Sequence, residues 1–90
     1  MKTDMKIVVQ YGIDFSLALK LLQSGAKVQR EGWKGKGMWL KLQKPCASSK
    51  MSLPYIYMRT ACGNNVPWLA SQTDLLSEDW CMYDDGEKDE

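Results

Sequence analysis

Histidine is absent from this ninety-residue chain. Its absence removes the Ser-His-Asp triad, the Cys-His dyad, histidine-bearing zinc sites and any imidazole general base. Cysteine is scarce as well: Cys46, Cys62 and Cys81 are scattered, with no Cys-x-x-Cys pair. An odd, dispersed count fits free thiols in a reducing compartment better than a disulfide framework. A three-thiolate zinc site is not expected, because structural zinc takes four ligands. Apolar runs such as Ile7-Val8-Val9 and Met38-Trp39-Leu40 fall far short of the ~20 residues of a membrane span. The first residues, Met-Lys-Thr-Asp-Met-Lys, hold no apolar core of signal-peptide length. The expectation is one domain, soluble and cytoplasmic or released only by lysis, with no metal and no cofactor.

What is present is ordinary globular material, 44% hydrophobic and 26% charged, which argues against disorder. The net charge of +1 conceals a segregation. Residues 1–73 carry eleven Lys/Arg against Asp4, Asp14 and Glu31, whereas residues 74–90 carry eight acids against Lys88. A basic body with an acidic tail suits an anionic ligand, with a tail that repels or mimics anions; a solvated surface with a solubilising tail explains it too.

The periodicities predict an α+β domain. Met5 to Gln10 reads as an edge strand or a plain extension, with residues 1–13 set apart from the body. Asp14 can cap a helix whose apolar positions Phe15, Ala18, Leu19 and Leu22 recur at helical spacing, widened by Leu17 and Leu21. Ser24-Gly25 ends it. Strands are predicted over Val28–Glu31, Met38–Gln43, Tyr55–Ala61 and Trp80–Tyr83. Along the second, Leu40 and Leu42 share a face with Met38, and Trp39, Lys41 and Gln43 share the other. Val66-Pro67-Trp68 reads as a crossing into a polar stretch. Ser71 and Asp74 have capping-box spacing for a short helix over Thr73–Leu76. The body thus runs over 14–83, with an antiparallel sheet, an N-terminal helix and a short C-terminal helix, followed by an acidic tail over 84–90.

Two clusters could carry chemistry. In Arg30-Glu31-Gly32-Trp33-Lys34-Gly35-Lys36-Gly37, the glycines admit close backbone approach, the cations suit phosphate and Trp33 offers a stacking face. The same residues also make a tight hairpin whose tryptophan caps the core. The spacing Gly-x4-Gly-Lys-Ser/Thr of a phosphate loop is missing. In Pro67-Trp68-Leu69-Ala70-Ser71-Gln72-Thr73-Asp74, a tryptophan precedes a hydroxyl and a carboxylate. That set offers an anion site at a helix start, or simply satisfied helix-terminal groups. Four Trp and four Tyr exceed what a thin core hides, so some line a pocket or a subunit interface. Tyr55 and Tyr57 share one sheet face. Asp74, Glu78 and Asp79 could bring two carboxylates together, but no nucleophile stands beside a base, so catalysis is not expected.

The segments REGW-x-GKG (Arg30–Gly37) and VPWLASQTD-L-x-x-EDW (Val66–Trp80), with the helix from Phe15 before them, resemble the Thoeris anti-defence family of the second type. The resemblance covers about residues 14–83, leaving aside Met1–Ile13 and matching Pro45–Pro54 only weakly. It implies a small α+β fold with an antiparallel sheet, assembled as a homotetramer with pockets between subunits. It also implies a phage protein that sequesters, without cleaving, a cyclic ADP-ribose-type signal (glyco-cyclic ADP-ribose) made by a bacterial TIR-domain defence enzyme. Some members also take up cyclic dinucleotides. On that resemblance Trp33 and Trp68 stack on the ligand, Arg30 and Lys36 neutralise its phosphates, and Ser71, Gln72 and Asp74 engage hydroxyls or purine edges. Many relatives carry Asn where Lys34 stands, so this loop has one more positive charge. A single-stranded nucleic-acid binder and a purely oligomeric interaction module are the alternatives. Against nucleic acid stand the acidic tail and the want of a long basic stripe.

Overall fold

The computed structural model of the chain describes residues 12–83. The stretch Met5–Gln10, read as an edge strand or an extension, and the acidic tail over 84–90 lie outside the described residues.

Helix α1 (Phe15–Gln23) starts where Asp14 can cap it: the Asp14 carboxylate accepts the Leu17 N–H at 3.1 Å. It ends at Ser24, and Gly25 follows at φ 101°, a conformation that glycine adopts without a Cβ penalty. Ala18 and Leu22 are fully buried, while Phe15, Leu19 and Leu21 flank them and Leu17 is left exposed. The apolar stripe is therefore narrower than its spacing alone implies.

Five strands follow: β1 (Lys27–Arg30), β2 (Trp39–Gln43), β3 (Tyr55–Arg59), β4 (Asn65–Pro67) and β5 (Trp80–Tyr83). They form one antiparallel sheet in the order β4-β3-β2-β1-β5. A short helix, α2 (Gln72–Leu76), precedes β5. The architecture is the expected α+β, with an N-terminal helix, a short C-terminal helix and an antiparallel sheet.

Strand β4 is an addition to the sequence reading. Val66-Pro67 pairs with β3 in the register Met58↔Val66 and Tyr57↔Pro67. A proline is tolerated there because β4 is an edge strand, where a missing N–H breaks no ladder on its outer side. Glu31, expected in the strand, instead opens a single 3-10 turn over Glu31–Trp33, although its N–H still bonds the Asp79 carbonyl beside β5. Beyond β5, Ile13 extends the sheet by one bridge, exchanging two backbone hydrogen bonds with Trp80.

Side-chain alternation sorts the strands into two faces. Val28, Leu40 and Trp80 point to α1 and form the core with Ile13, Ala18 and Leu22; Leu42, Ile56 and Met58 pack around it. Arg30 shares that face. Lys27, Trp39, Lys41, Gln43, Tyr55, Tyr57, Arg59 and Tyr83 occupy the other, as the register Lys27↔Tyr83, Trp39↔Arg59, Lys41↔Tyr57 and Gln43↔Tyr55 requires.

Candidate functional site

Trp80 organises the region where the two motif segments meet. It is fully buried, and its indole N–H donates to the Asp74 carbonyl at 2.9 Å. Three rings surround it: Phe15 at 5.2 Å, Trp33 at 5.5 Å and Trp68 at 5.9 Å between centroids, each edge-on. Phe15 and Trp68 also meet at 5.7 Å. Edge-to-face geometry suits the ring quadrupoles and adds about 0.5–1.5 kcal/mol per pair beyond area burial. Trp33 and Trp68 thus cap the core on either side of Trp80, each remaining half-buried.

Next to this cluster lies a charged one. Strand β1 ends at Arg30, whose guanidinium reaches Asp74 on α2 at 2.9 Å and Asp79, just before β5, at 2.7 Å and 3.3 Å. The Arg30 and Asp74 side chains are 20% and 18% exposed, and Asp79 is 40% exposed. The Asp79 hydrogen bond is the main cause of a raised Arg30 pKa, opposed in part by burial and reinforced by Asp74. Two of the three acids that the sequence placed near each other therefore converge, but on a cation. Two carboxylates around one guanidinium fix its direction and leave an anionic surplus.

Asp74 has a second task. Its side chain accepts the Ser71 N–H at 3.4 Å while the Ser71 hydroxyl accepts the Asp74 N–H at 3.0 Å, a complete capping box. One carboxylate thus ties the start of α2 to the end of β1.

Of the residues singled out from sequence, Trp33, Trp68 and Asp74 contact Trp80, Arg30 joins them through Asp74, and exposed Ser71 is tied in only by its capping bonds to Asp74. Gln72 is exposed at the first turn of α2, and Lys36 is exposed in the glycine-rich turn, where its backbone N–H bonds to the Trp33 carbonyl. Asp79 and Trp80 were missed as site residues although both stand in the second motif. The signal available was a strand-borne arginine with three acids nearby in one later segment. A separate concavity of about 130 Å³, lined by Gln43, Tyr55, Tyr57, Asn65, Val66 and Pro67, lies at the far edge of the sheet. It is smaller than the roughly 300 Å³ at which small-molecule pockets begin.

The fold and this cluster define a small single-sheet α+β protein in which two distant segments are joined through a buried tryptophan and a doubly paired arginine. The description of the Thoeris anti-defense 2-like domain matches residues 13–83. The chain is 35% identical over 81 residues to Thoeris anti-defense 2 of Bacillus phage SP01, covering 76% of this chain and 91% of that protein. The chain belongs to the Thoeris anti-defense 2-like family. Its functional class is accordingly phage anti-defence. Among the described residues no helix is long and apolar enough to cross a membrane.

Proposed function

We propose that this protein acts inside the infected bacterial cell as a sponge, binding an intact cyclic ADP-ribose-type signal without cleaving it. The observation that carries the reading is the convergence of the two motif segments, 44 residues apart in sequence, in the Arg30–Asp74 pair at 2.9 Å. A signal of this class presents a purine, a pyrophosphate and ribose hydroxyls. Trp33 and Trp68 offer ring surface to the purine; Arg30, with Lys36 from the adjoining turn, meets the pyrophosphate; Ser71, Gln72 and Asp74 meet hydroxyls.

Asp79 is the more exposed of the two acids on Arg30, so it is the partner that an entering phosphate replaces. The guanidinium then keeps its direction through Asp74. Binding swaps one anion for another, and desolvation of Arg30 is largely complete beforehand, which lowers the cost of association.

The pocket closes between copies of the chain in a homotetramer. Leu69, three residues before α2, and Leu76, its last residue, are 91% and 77% exposed, apolar surface of the kind that assembly covers. Cyclic dinucleotides are the related class to be tested beside the main signal.

Titration with glyco-cyclic ADP-ribose tests the reading through tryptophan fluorescence, because two of the four tryptophans flank the ligand. Saturable quenching at one ligand per site is expected, with Arg30→Gln weakening binding at least tenfold. Quenching that survives Arg30→Gln unchanged contradicts the assignment.

A further inference from the structure

The two acids on Arg30 are held in unequal ways. Asp74 is tied from several sides. One of its carboxylate oxygens accepts from Arg30 Nη1 at 2.9 Å and the other from the Ser71 N–H at 3.4 Å, while its carbonyl receives the Trp80 indole N–H at 2.9 Å. Asp79 stands in the short link, 77–79, between α2 and β5. Among the described residues its carboxylate bonds to Arg30 alone. At 40% exposure it is also more open to water than Asp74, at 18%. The main chain beneath it is fixed: the Asp79 carbonyl accepts the Glu31 N–H at 3.0 Å, and the next residue, Trp80, is fully buried. The carboxylate can therefore leave Arg30 by a change of side-chain rotamer, with the backbone in place.

Its position on the guanidinium matters. Asp79 takes Arg30 Nε at 2.7 Å with one oxygen and Nη2 at 3.3 Å with the other. That is the parallel two-bond arrangement by which a guanidinium grips a phosphate. Asp79 thus occupies the edge of Arg30 that a pyrophosphate needs. A carboxylate fixed on the same chain competes there at an effective concentration of roughly millimolar or more.

We propose that Asp79 is an internal competitor at this site: its carboxylate must leave Arg30 before a phosphate binds there, which raises the concentration that any phosphate compound needs. This rests on the reading of Arg30 as the phosphate contact and adds to it a residue that regulates the contact. Such a competitor lowers the affinity of every anion by one factor, because apparent affinity falls with the fraction of sites that are open. Small phosphates, whose main contact is Arg30, are pushed to high concentrations. A ligand that also meets Trp33, Trp68 and the residues of α2 keeps enough affinity to stay bound. Common small phosphates are then ignored without any clash built against them.

Calorimetric titration of the full chain with two probes, inorganic pyrophosphate and glyco-cyclic ADP-ribose, tests this. Asp79→Asn keeps an oxygen for the Arg30 N–H groups and removes the charge. It is expected to tighten both probes by about threefold to fivefold, the effect of losing a half-exposed ion pair, and to lower the melting temperature. A purely structural Asp79 gives the lower melting temperature without the tighter binding, so the opposed signs separate the two roles. Asp79→Glu, which restores the carboxylate, is expected to move both affinities back toward those of the native chain. Asp79→Ser takes the place of Asp79→Asn if circular dichroism shows the latter unfolded. Unchanged or weaker binding of both probes overturns the proposal, as does tightening of one with weakening of the other, or no binding of either probe to the variant. Pyrophosphate tightened by Asp79→Asn, with glyco-cyclic ADP-ribose bound by neither protein, upholds the competitor and removes the sponge reading. Glyco-cyclic ADP-ribose bound equally by the native chain and Asp79→Asn does the reverse.

Discussion

Two arginines of the same sheet, on β1 and β3 with β2 between them, are used in opposite ways. Arg30, on the α1 face, is held by Asp74 and Asp79 and carries no uncompensated charge; Arg59, on the other face, rests on the Trp39 ring and on a neutral amide. The tryptophans divide likewise. Trp80 is fully enclosed by Phe15, Trp33 and Trp68, with its indole N–H satisfied, whereas Trp39 is roofed by two cations and two tyrosines. One face holds its arginine between two carboxylates, and the other sets Lys27 and Arg59 against the Trp39 ring. The difference shows that residue type does not assign a role here; the partners that the fold supplies do.

The largest effect that would break this contrast is loss of Trp80. Trp80→Ala removes a fully buried ring from the centre of the core and is expected to cost about 3–5 kcal/mol, a large part of the stability of so small a domain. Chemical denaturation measures it, and a loss below about 1 kcal/mol would show that the cluster is not the core's centre. Arg30→Met against Arg59→Met comes next. The first strands Asp74 and Asp79 beside each other and is expected to lose about 1–2 kcal/mol, the second no more than about 1 kcal/mol. Equal losses would erase the distinction between the two faces.

Ser71→Ala sharpens the same comparison at smaller scale. It removes half of the capping box, costs about 1 kcal/mol and loosens the Asp74 carboxylate that orients Arg30, so thermal melting should fall while the Arg59 face is untouched. The smallest effect concerns the thiols. The hydrogen bond from Ser48 lowers the pKa of exposed Cys46, and burial raises that of Cys81 on β5. Alkylation near pH 7.5, read by peptide mass, should therefore reach Cys46 first and Cys81 last. Because the folded Cys81 thiol keeps its proton to higher pH than the unfolded one, its contribution to stability falls as pH rises from the ordinary thiol range upward. Cys81→Ala should flatten that decline.

Much of this was legible from local chemistry. The Asp14 cap, Gly25 at the helix end, the 3.6-residue stripe and the Ser71/Asp74 capping box depend on neighbours within four residues, and they stand as the spacing implied except that the stripe leaves Leu17 exposed. The alternation of Leu40 and Leu42 against Trp39 and Lys41 was equally readable, as was the shared face of Tyr55 and Tyr57. Strand β4 was not, because Pro67 argues against a strand until its place at the sheet edge is known. The Arg30–Asp79 pair was hidden for a related reason: 49 residues separate the partners, and only the β1–β5 register joins them. The far concavity needs β2, β3 and β4 in register at once, so no single segment announces it. Lys36 and Gln72 were chosen for their chemistry within motifs, and in the folded chain both are exposed beside the cluster rather than in it.

The central claim is that the protein holds a cyclic ADP-ribose-type signal and returns it unchanged. Capture and release tests it directly: incubate the chain with glyco-cyclic ADP-ribose, filter off free ligand, denature the protein by heat, and identify what is released by chromatography and mass. The account predicts intact signal in near-stoichiometric amount, with Arg30→Gln releasing little. Ligand left wholly in the filtrate, or recovered as a chemically altered product, would contradict it.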